Sequence, residues 1–309
     1  MPLDLVIVIL NYNTRDLLRK CLQTVYASAG DFTFEVCVVD NASGDDSAAM
    51  VASEFPQATL IASRTNDGYS TGNNLGLRRY GFRDQPDASD AAEMPRFALL
   101  LNPDTEVPVN ALADMLAFMD ARPQCGVAGP KLVRLDGSLD LACRRSFPSP
   151  EVSAYRMLGL SKLFPQSPRF GRYNMTYLSP DVLTEVDSVV GAFMLVRGAA
   201  IQQIGLLDEA FFMYGEDLDW AFRIKQAGWK VWYNPAVTVL HVKEAASKTS
   251  SKARYEFYRA MLLFYGKHYE ATTPRWLHWL IVGGIGARGA LAMASRSLSQ
   301  MRAKFRRGV

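Results

Sequence analysis

Apolar runs that stop abruptly on short polar side chains recur through residues 3–242. Leu3–Leu10 ends on Asn11-Tyr12-Asn13-Thr14, Phe34–Val39 on Asp40-Asn41-Ala42-Ser43, and Phe97–Leu101 on Asn102-Pro103-Asp104-Thr105. Near-continuous apolar runs of this length are the pattern of strands buried on both faces, as in a parallel sheet. Helical periodicity follows the runs: from about Arg15 to Ser28, then to about Phe55, and over Pro108–Ala121 with Leu112, Met115, Leu116 and Met119 on one face. With a short strand at Thr59–Ala62, the alternation predicts an α/β architecture with an open, mixed but mostly parallel sheet and helices on both faces. Such sheets bind ligands outside the carboxyl ends of their strands. Pro103 cannot donate to a ladder, so its strand ends near Leu101 and leaves Asn102 and Asp104 in that crevice.

The rest of the pattern adds candidates around the same edge. Asp40 ends its strand as Asn11 ends the first, and a carboxylate there can accept from the N3–H of a pyrimidine; capping of the next helix is the alternative for Asp40 and Ser43. Asn66–Leu77, small and amide-rich, predicts a loop closing over a polyhydroxylated or phosphorylated ligand. Val127–Val133 and Leu139–Ala142 read as an antiparallel edge. Val186–Arg197 reads as one buried strand in which Gly191 marks close approach of backbone to a ligand. Glu216 and Asp217 fall in the first turn of a helix opened by Gly215, where acids also suit the helix dipole. Lys230–Pro235 and Ala236–Val242 are strands, the second carrying His241, one of three histidines.

Composition sets limits. With 309 residues, 49% hydrophobic and 21% charged, the chain has material for a large α/β core plus an appendage and is not a disordered protein. Its four cysteines are scattered, and it opens on Met-Pro-Leu-Asp without a basic, then apolar leader, so the expectation is reduced thiols in the cytosol. The net charge of +3 conceals an asymmetry: residues 1–242 carry a net −7 and residues 243–309 a net +10. Two units are therefore expected, 1–242 as the catalytic body and 243–309 as a basic helical region that meets an anionic membrane surface rather than nucleic acid. Trp276–Ser295 is apolar but interrupted by Arg288, which favours a helix lying in the bilayer interface over one that spans it. Gly284–Gly289 matches a phosphate-loop pattern without its strand–turn–helix setting and is not expected to bind phosphate. Residues 83–96 read as a solvated insertion. Arg144–Arg172, with six basic residues against one acid and four prolines, reads as an acceptor-side loop or as plain solvated surface.

Val8–Asn13, Val38–Ser43, Asn66-Asp67-Gly68 with Gly72-Asn73-Asn74, Leu101–Asp104, Gly191–Met194 and Gly215–Asp219 together resemble the family 2 glycosyltransferases of the GT-A fold, most closely the bacterial rhamnosyltransferase-like branch. The resemblance covers residues 3–242. It implies that Asp40 binds the donor's pyrimidine with help from the backbone at Leu10 and Asn11, and that Asn66, Gly68 and Asn73 line the donor pocket, with Asn102 and Gly191 beside it. It implies Asp104 and His241 as ligands of a divalent cation, Mg²⁺ or Mn²⁺, and Asp217 as general base with Glu216 next to it. The family's metal motif usually has aspartate at both ends; here Asn102 fills the first place. The implied activity is inverting transfer of a sugar, L-rhamnose in the leading reading, from a dTDP- or UDP-sugar to a lipid-linked or cell-envelope saccharide at the inner face of the membrane. A nucleotidyltransferase and a nucleotide-sugar-binding protein that has lost catalysis are the alternatives, the first disfavoured because Asn11-Tyr12-Asn13 lacks a Gly-rich phosphate loop and a lysine.

Overall fold

The computed structural model describes residues 3–84, 94–243 and 251–307, with side chains described as far as Ala294; most of the insertion predicted at 83–96 lies outside these residues. The first half alternates as expected: β1 (Leu5–Asn11), α1 (Arg15–Tyr26), β2 (Phe34–Asp40), α2 (Ser47–Glu54), β3 (Thr59–Ala62), α3 (Tyr69–Arg79) and β4 (Phe97–Leu101). A two-residue strand β5 (Thr105–Glu106), α4 (Ala111–Asp120) and β6 (Cys125–Val133) follow. Then come α5 (Pro150–Met157), α6 (Leu160–Leu163), β7 (Thr184–Val186), β8 (Phe193–Arg197), α7 (Gly198–Ile204), α8 (Glu216–Gln226) and β9 (Lys230–His241). Two helices, α9 (Ser251–His268) and α10 (Arg275–Arg307), close the chain.

These strands form one sheet in the order β3-β2-β1-β4-β8-β6-β9-β5, with β7 also on β9. From the pairings, β1, β2, β3, β4, β6 and β9 run one way, and β5, β7 and β8 run against them. The β-branched residues of β1, Val6 to Ile9, are fully buried, as are all five residues of β4, so the centre of the sheet is dry on both faces. Helix α3 lies unusually close to it. A Cβ at Gly72 would stand 2.3 Å from Leu10 Cδ1, and one at Gly76 would stand 2.5 Å from Val8 Cγ1. The two glycines thus let a helix press on the sheet where a loop was expected.

Four expectations need correction. Leu139–Ala142 is not a strand: Leu139 makes a single bridge to Val133, and Leu141–Cys143 form a 3₁₀ turn capped by Asp140, whose side chain accepts from Ala142 N. β6 is not an edge but lies between β8 and β9. Val186–Arg197 is broken into β7 and β8, and the intervening 187–192 crosses the site as a loop. Conversely, the two segments from Lys230 to His241 are one strand. Its ladder with β6 shifts register between Pro130↔Asn234 and Lys131↔Thr238, where Pro130 and Pro235 both lack an N–H and the strand bulges instead of ending.

Helix α9 docks on α8. Ala260 and Phe264 bury against Phe211 and Leu218, and His268 Nε2 lies 2.8 Å from Asp219 Oδ1 while Arg223 Nε donates to Asp219 Oδ2 at 2.8 Å. The His268 ring also packs on Phe222, 4.1 Å between centroids.

Candidate active site

Register builds the site from its first two strands. β1 and β2 are parallel with Asn11 opposite Asp40, so two short polar side chains emerge side by side at the carboxyl edge. Asn11 Nδ2 donates to Asp40 Oδ1 at 2.8 Å and to Ser43 Oγ at 3.1 Å, while Ser43 N donates to Asp40 Oδ2 at 3.0 Å. Thr14 Oγ1 donates to Asn11 Oδ1 at 2.6 Å. Leu10 packs under α3 at Gly72. Beside this cluster, Asn41 ties down the next loop: its Nδ2 donates to Asn66 Oδ1 at 3.0 Å and to the Gly68 carbonyl at 3.2 Å, and its Oδ1 accepts from Asp67 N. Gly68 has φ +93° and its Cβ would stand 2.4 Å from the Phe212 carbonyl, so no other residue fits there.

The turn after β4 is joined to the far end of the sheet by β5. Thr105 pairs with His241, and Val242 N donates to the Asp104 carbonyl at 2.9 Å, which carries His241 from the end of β9 to the side of Asp104. His241 Nε2 is 3.3 Å from Asp104 Oδ1, and its Nδ1 is 2.9 Å from Asp140 Oδ2. Lys243 Nζ donates to both Asp140 oxygens at 2.9 Å. Burial pulls the imidazole down, but hydrogen bonds to Asp104 and Asp140 outweigh it and raise His241 to about 9. Burial likewise pushes Asp140 up, yet His241 and Lys243 hold it far below the ordinary carboxylate range. Among the described residues no group of three or more histidines, cysteines or acids is arranged to hold a metal ion. The pair Asp104 and His241 nevertheless fits one: a carboxylate oxygen and an imidazole nitrogen face each other, and Asp140 on the far ring nitrogen would fix the imidazole's orientation, the usual support of a metal-bound histidine.

Tyr69 joins this turn to the acids of α8. Its hydroxyl donates to the Gly191 carbonyl at 2.9 Å and lies 3.4 Å from Asn102 Oδ1. A Cβ at Gly191 would stand 2.7 Å from that hydroxyl, so Tyr69 makes a close approach to the backbone at Gly191. Burial, then the charges of Glu216, Asp217 and Asp104, raises the phenol well above its ordinary pKa. Asn73, one turn along α3, donates Nδ2 to the Tyr69 carbonyl at 2.9 Å. The neighbouring Asn74 is also turned inward and donates to the Leu207 carbonyl. The amide-rich stretch is therefore largely helix, its amides bonded within the fold, and the loop expected there is confined to the residues before Tyr69.

Asp217 is 5% exposed, and its Oδ2 accepts from Arg145 Nη2 at 2.7 Å and from Gly191 N at 3.1 Å. Arg145 also donates Nη2 to the Val189 carbonyl. Burial lowers the guanidinium's pKa, but the charge of Asp217 more than reverses that, and Arg145 stays charged. Glu216 is equally buried, and its Oε2 has no hydrogen-bond partner among the described residues. Burial, then the charge of Asp217, raises its carboxyl to about 8.

Reasoning from sequence missed Tyr69, Asp140 and Arg145. Asp140 was hidden in a supposed strand, and Arg145 in a basic segment where charge suggests solvent; both are buried. Gly284–Gly289 lies inside α10, where backbone N–H groups are committed to the helix.

A mostly parallel sheet whose carboxyl edge carries the Asn11–Asp40–Ser43 cluster and the Asp104–His241 pair, with C-terminal helices beyond it, has GT-A architecture. The chain belongs to the glycosyltransferase-like family 2, whose profile matches residues 2–258, and it transfers glycosyl groups. It is 25% identical over 303 residues to the N-acetylglucosaminyl-diphospho-decaprenol L-rhamnosyltransferase of Mycobacterium tuberculosis, covering 97% of this chain and 96% of that one. It is 25% identical over 240 residues to the rhamnosyltransferase WbbL of Escherichia coli K12, covering 76% and 82% of the two chains. Among solved structures it is similar in fold to the mannosyltransferase PcManGT from Pyrobaculum calidifontis in complex with GDP-Man and Mn²⁺: TM-score 0.56, 14% identity, 98% of this chain and 76% of that chain.

Proposed function

We propose that this protein is an inverting, divalent-cation-dependent glycosyltransferase that moves L-rhamnose from a dTDP- or UDP-activated donor to a lipid-linked saccharide of the cell envelope. The observation that carries the reading is that Tyr69 joins the turn holding Asn102 and Asp104 to the Gly191 backbone, whose N–H is bonded to Asp217. The rhamnosyl and lipid-linked parts rest on what the M. tuberculosis relative acts on. Asp40, braced by Asn11 and Ser43, keeps lone pairs for the N3–H of the donor's pyrimidine. Backbone at Leu10 and Asn11 supports the base, and Asn66, Gly68 and Asn73 shape the wall beside it.

Mg²⁺ or Mn²⁺ on Asp104 and His241 would supply positive charge to the departing diphosphate. The acceptor hydroxyl attacks the anomeric carbon from the face opposite the leaving oxygen and must lose its proton as the bond forms. Asp217 is the base in this reading. Arg145 and the Gly191 N–H hold one of its oxygens and leave the other to take the proton. Glu216 sets the field beside it. One displacement inverts the configuration at the transferred carbon.

The body, residues 1–242, would act at the inner face of the membrane, with residues 243–309 attached to its anionic lipid. The test is turnover of dTDP-L-rhamnose and a UDP-sugar panel with Mn²⁺ by wild type and Asp217→Asn, with product stereochemistry read by NMR. No turnover of any donor by the wild type, or equal turnover by Asp217→Asn, would overturn the assignment.

A further inference from the structure

The surface of α10 that faces away from the protein is a single apolar stripe. Trp276, Trp279, Leu280, Gly283, Ala287 and Leu291 follow one another at helical spacing, all are exposed, and no charge interrupts them. The opposite face is packed: Ile285 is buried, the His278 ring lies 5.8 Å from Tyr265 of α9, and Arg254 of α9 donates to the Ala292 carbonyl at 2.6 Å. By length and composition, 20 residues of this helix (Arg275–Ala294) are apolar enough to cross a bilayer. Packing along α9 rules against that orientation, because crossing would draw the charged residues of α9, Arg254, Glu256 and Arg259, into hydrocarbon. The stripe is suited to lie in the plane of an interface, with the tryptophans at one end and Arg296, Arg302, Lys304, Arg306 and Arg307 beyond the other.

A second apolar group stands next to it. Leu158 (74% exposed), Leu163 (69%) and Phe164 (48%) crown the α5–α6 ridge. The ridge is fixed to α10, since Arg288 Nη1 donates to the Met157 carbonyl at 2.5 Å and a Cβ at Gly284 would touch the Met157 methyl at 3.3 Å. Once Arg144 and Arg145 are accounted for by burial, the exposed cations of the basic segment are Arg156, Lys162, Arg169 and Arg172, all on or near this ridge, with Glu151 as the one acid. Apolar side chains ringed by cations complement an anionic lipid surface.

We propose that the α5–α6 ridge is a second membrane-insertion element, forming with the α10 stripe one docking face for an anionic bilayer. This rests on the reading that the protein works at a membrane, and it adds a consequence. Only Ser146–Ser149 separate the ridge from Arg145, which holds Asp217, so docking through the ridge sets the candidate base at a fixed distance from the lipid surface that presents the acceptor.

The test is co-sedimentation of the full chain with vesicles of phosphatidylcholine alone and of phosphatidylcholine with phosphatidylglycerol. Three proteins are compared: wild type, the ridge variant Leu158→Ser/Leu163→Ser/Phe164→Ser, and the stripe variant Trp276→Ser/Trp279→Ser/Leu280→Ser. A milder ridge variant, Leu158→Ser/Leu163→Ser, and thermal unfolding of each guard against misfolding. Wild type is expected to partition onto the anionic vesicles, and each variant to bind at least about tenfold more weakly with an unchanged melting temperature. If both ridge variants bind as wild type does while the stripe variant fails, the ridge proposal falls and membrane attachment through α10 stands. If wild type binds neither vesicle, both fall. Equal binding to both vesicles overturns the choice of an anionic surface. A lipid-free dimer broken by the ridge substitutions would assign the face to self-association and overturn the proposal.

Discussion

Arg145 Nη2 lies 2.7 Å from Asp217 Oδ2, an ion pair between two side chains less than one-tenth exposed. A buried charge left without its partner is far more costly than the pair itself is stabilising. Arg145→Ala is therefore expected to destabilise the protein by ~3–5 kcal/mol, and Asp217→Asn, which keeps an oxygen for Arg145 and the Gly191 N–H but no counter-charge, should destabilise it by less. Turnover separates the two roles: with Asp217 as base, Asp217→Asn should lower kcat by about 10²–10⁴ with little change in donor affinity. Chemical denaturation and donor titration on the same preparations check both halves. An Arg145→Ala protein as stable as wild type would mean that solvent already screens this pair.

Gly191 and Tyr69 fit like a notch and its peg. The Tyr69 hydroxyl fills the space a Cβ would need, at 2.7 Å, and beyond it the ring carbon Cζ is 3.3 Å away. Gly191→Ala should therefore cost activity and about 1–3 kcal/mol of stability through overpacking. Tyr69→Phe removes the hydroxyl that clashes, and the double variant Gly191→Ala/Tyr69→Phe should recover part of the loss, a coupling that independent sites do not give. Additive effects in the double-mutant cycle would separate the two residues.

This contact also illustrates what was legible in the sequence. A glycine within an apolar run signals close approach of something, and Gly191 was recognised on that ground; what approaches is a side chain 122 positions away, which no local pattern encodes. The strands β1, β2 and β4, and with them Asn11, Asp40, Asn102 and Asp104, could be read because apolar runs ending on polar turns have one ready explanation in an open sheet. Arg145 and Asp140 could not. Their burial depends on partners, Asp217 in one case and His241 with Lys243 in the other, that the fold supplies from over seventy and over one hundred positions away. The amides of α3 misled for the reverse reason: amide-rich sequence suggests a loop, yet Gly72 and Gly76 pull the segment onto the sheet as a helix and its amides find carbonyls there.

Glu216 should govern how stability changes with pH. Its carboxyl titrates near 4.5 when free and about 8 in the folded protein, so the folded state binds its proton more tightly than the unfolded state does. The stabilisation is fully present below the free value and is lost as pH rises through the folded one, so its contribution declines from about pH 4.5 to about pH 8. Glu216→Gln removes the titration. Melting temperatures taken across that window should fall more steeply with pH for wild type than for the variant, with the variant ahead at the alkaline end. Parallel curves would show that Glu216 is already ionised at neutral pH.

The carboxylate–imidazole pair gives the remaining prediction. If Asp104 and His241 hold a divalent cation, extensive dialysis against EDTA should abolish turnover and Mn²⁺ or Mg²⁺ should restore it. Substitutions should then grade by position. Asp104→Ala and His241→Ala remove a ligand outright. Asp140→Asn acts only through the other ring nitrogen, where it accepts at 2.9 Å, and should weaken cation affinity by about 10–100-fold while sparing turnover at saturating metal. Asn102, whose Oδ1 is within 3.4 Å of the Tyr69 hydroxyl, provides the contrast. Asn102→Asp would place a carboxylate next to a phenol held protonated by burial, and it should bind the cation more tightly than wild type only if the side chain can turn from Tyr69 toward Asp104. Isothermal titration of Mn²⁺ in the presence of a nucleoside diphosphate distinguishes these cases. An EDTA-treated enzyme that turns over at the full rate, with Asp140→Asn indistinguishable from wild type, would instead leave His241 as a structural imidazole locked between two acids.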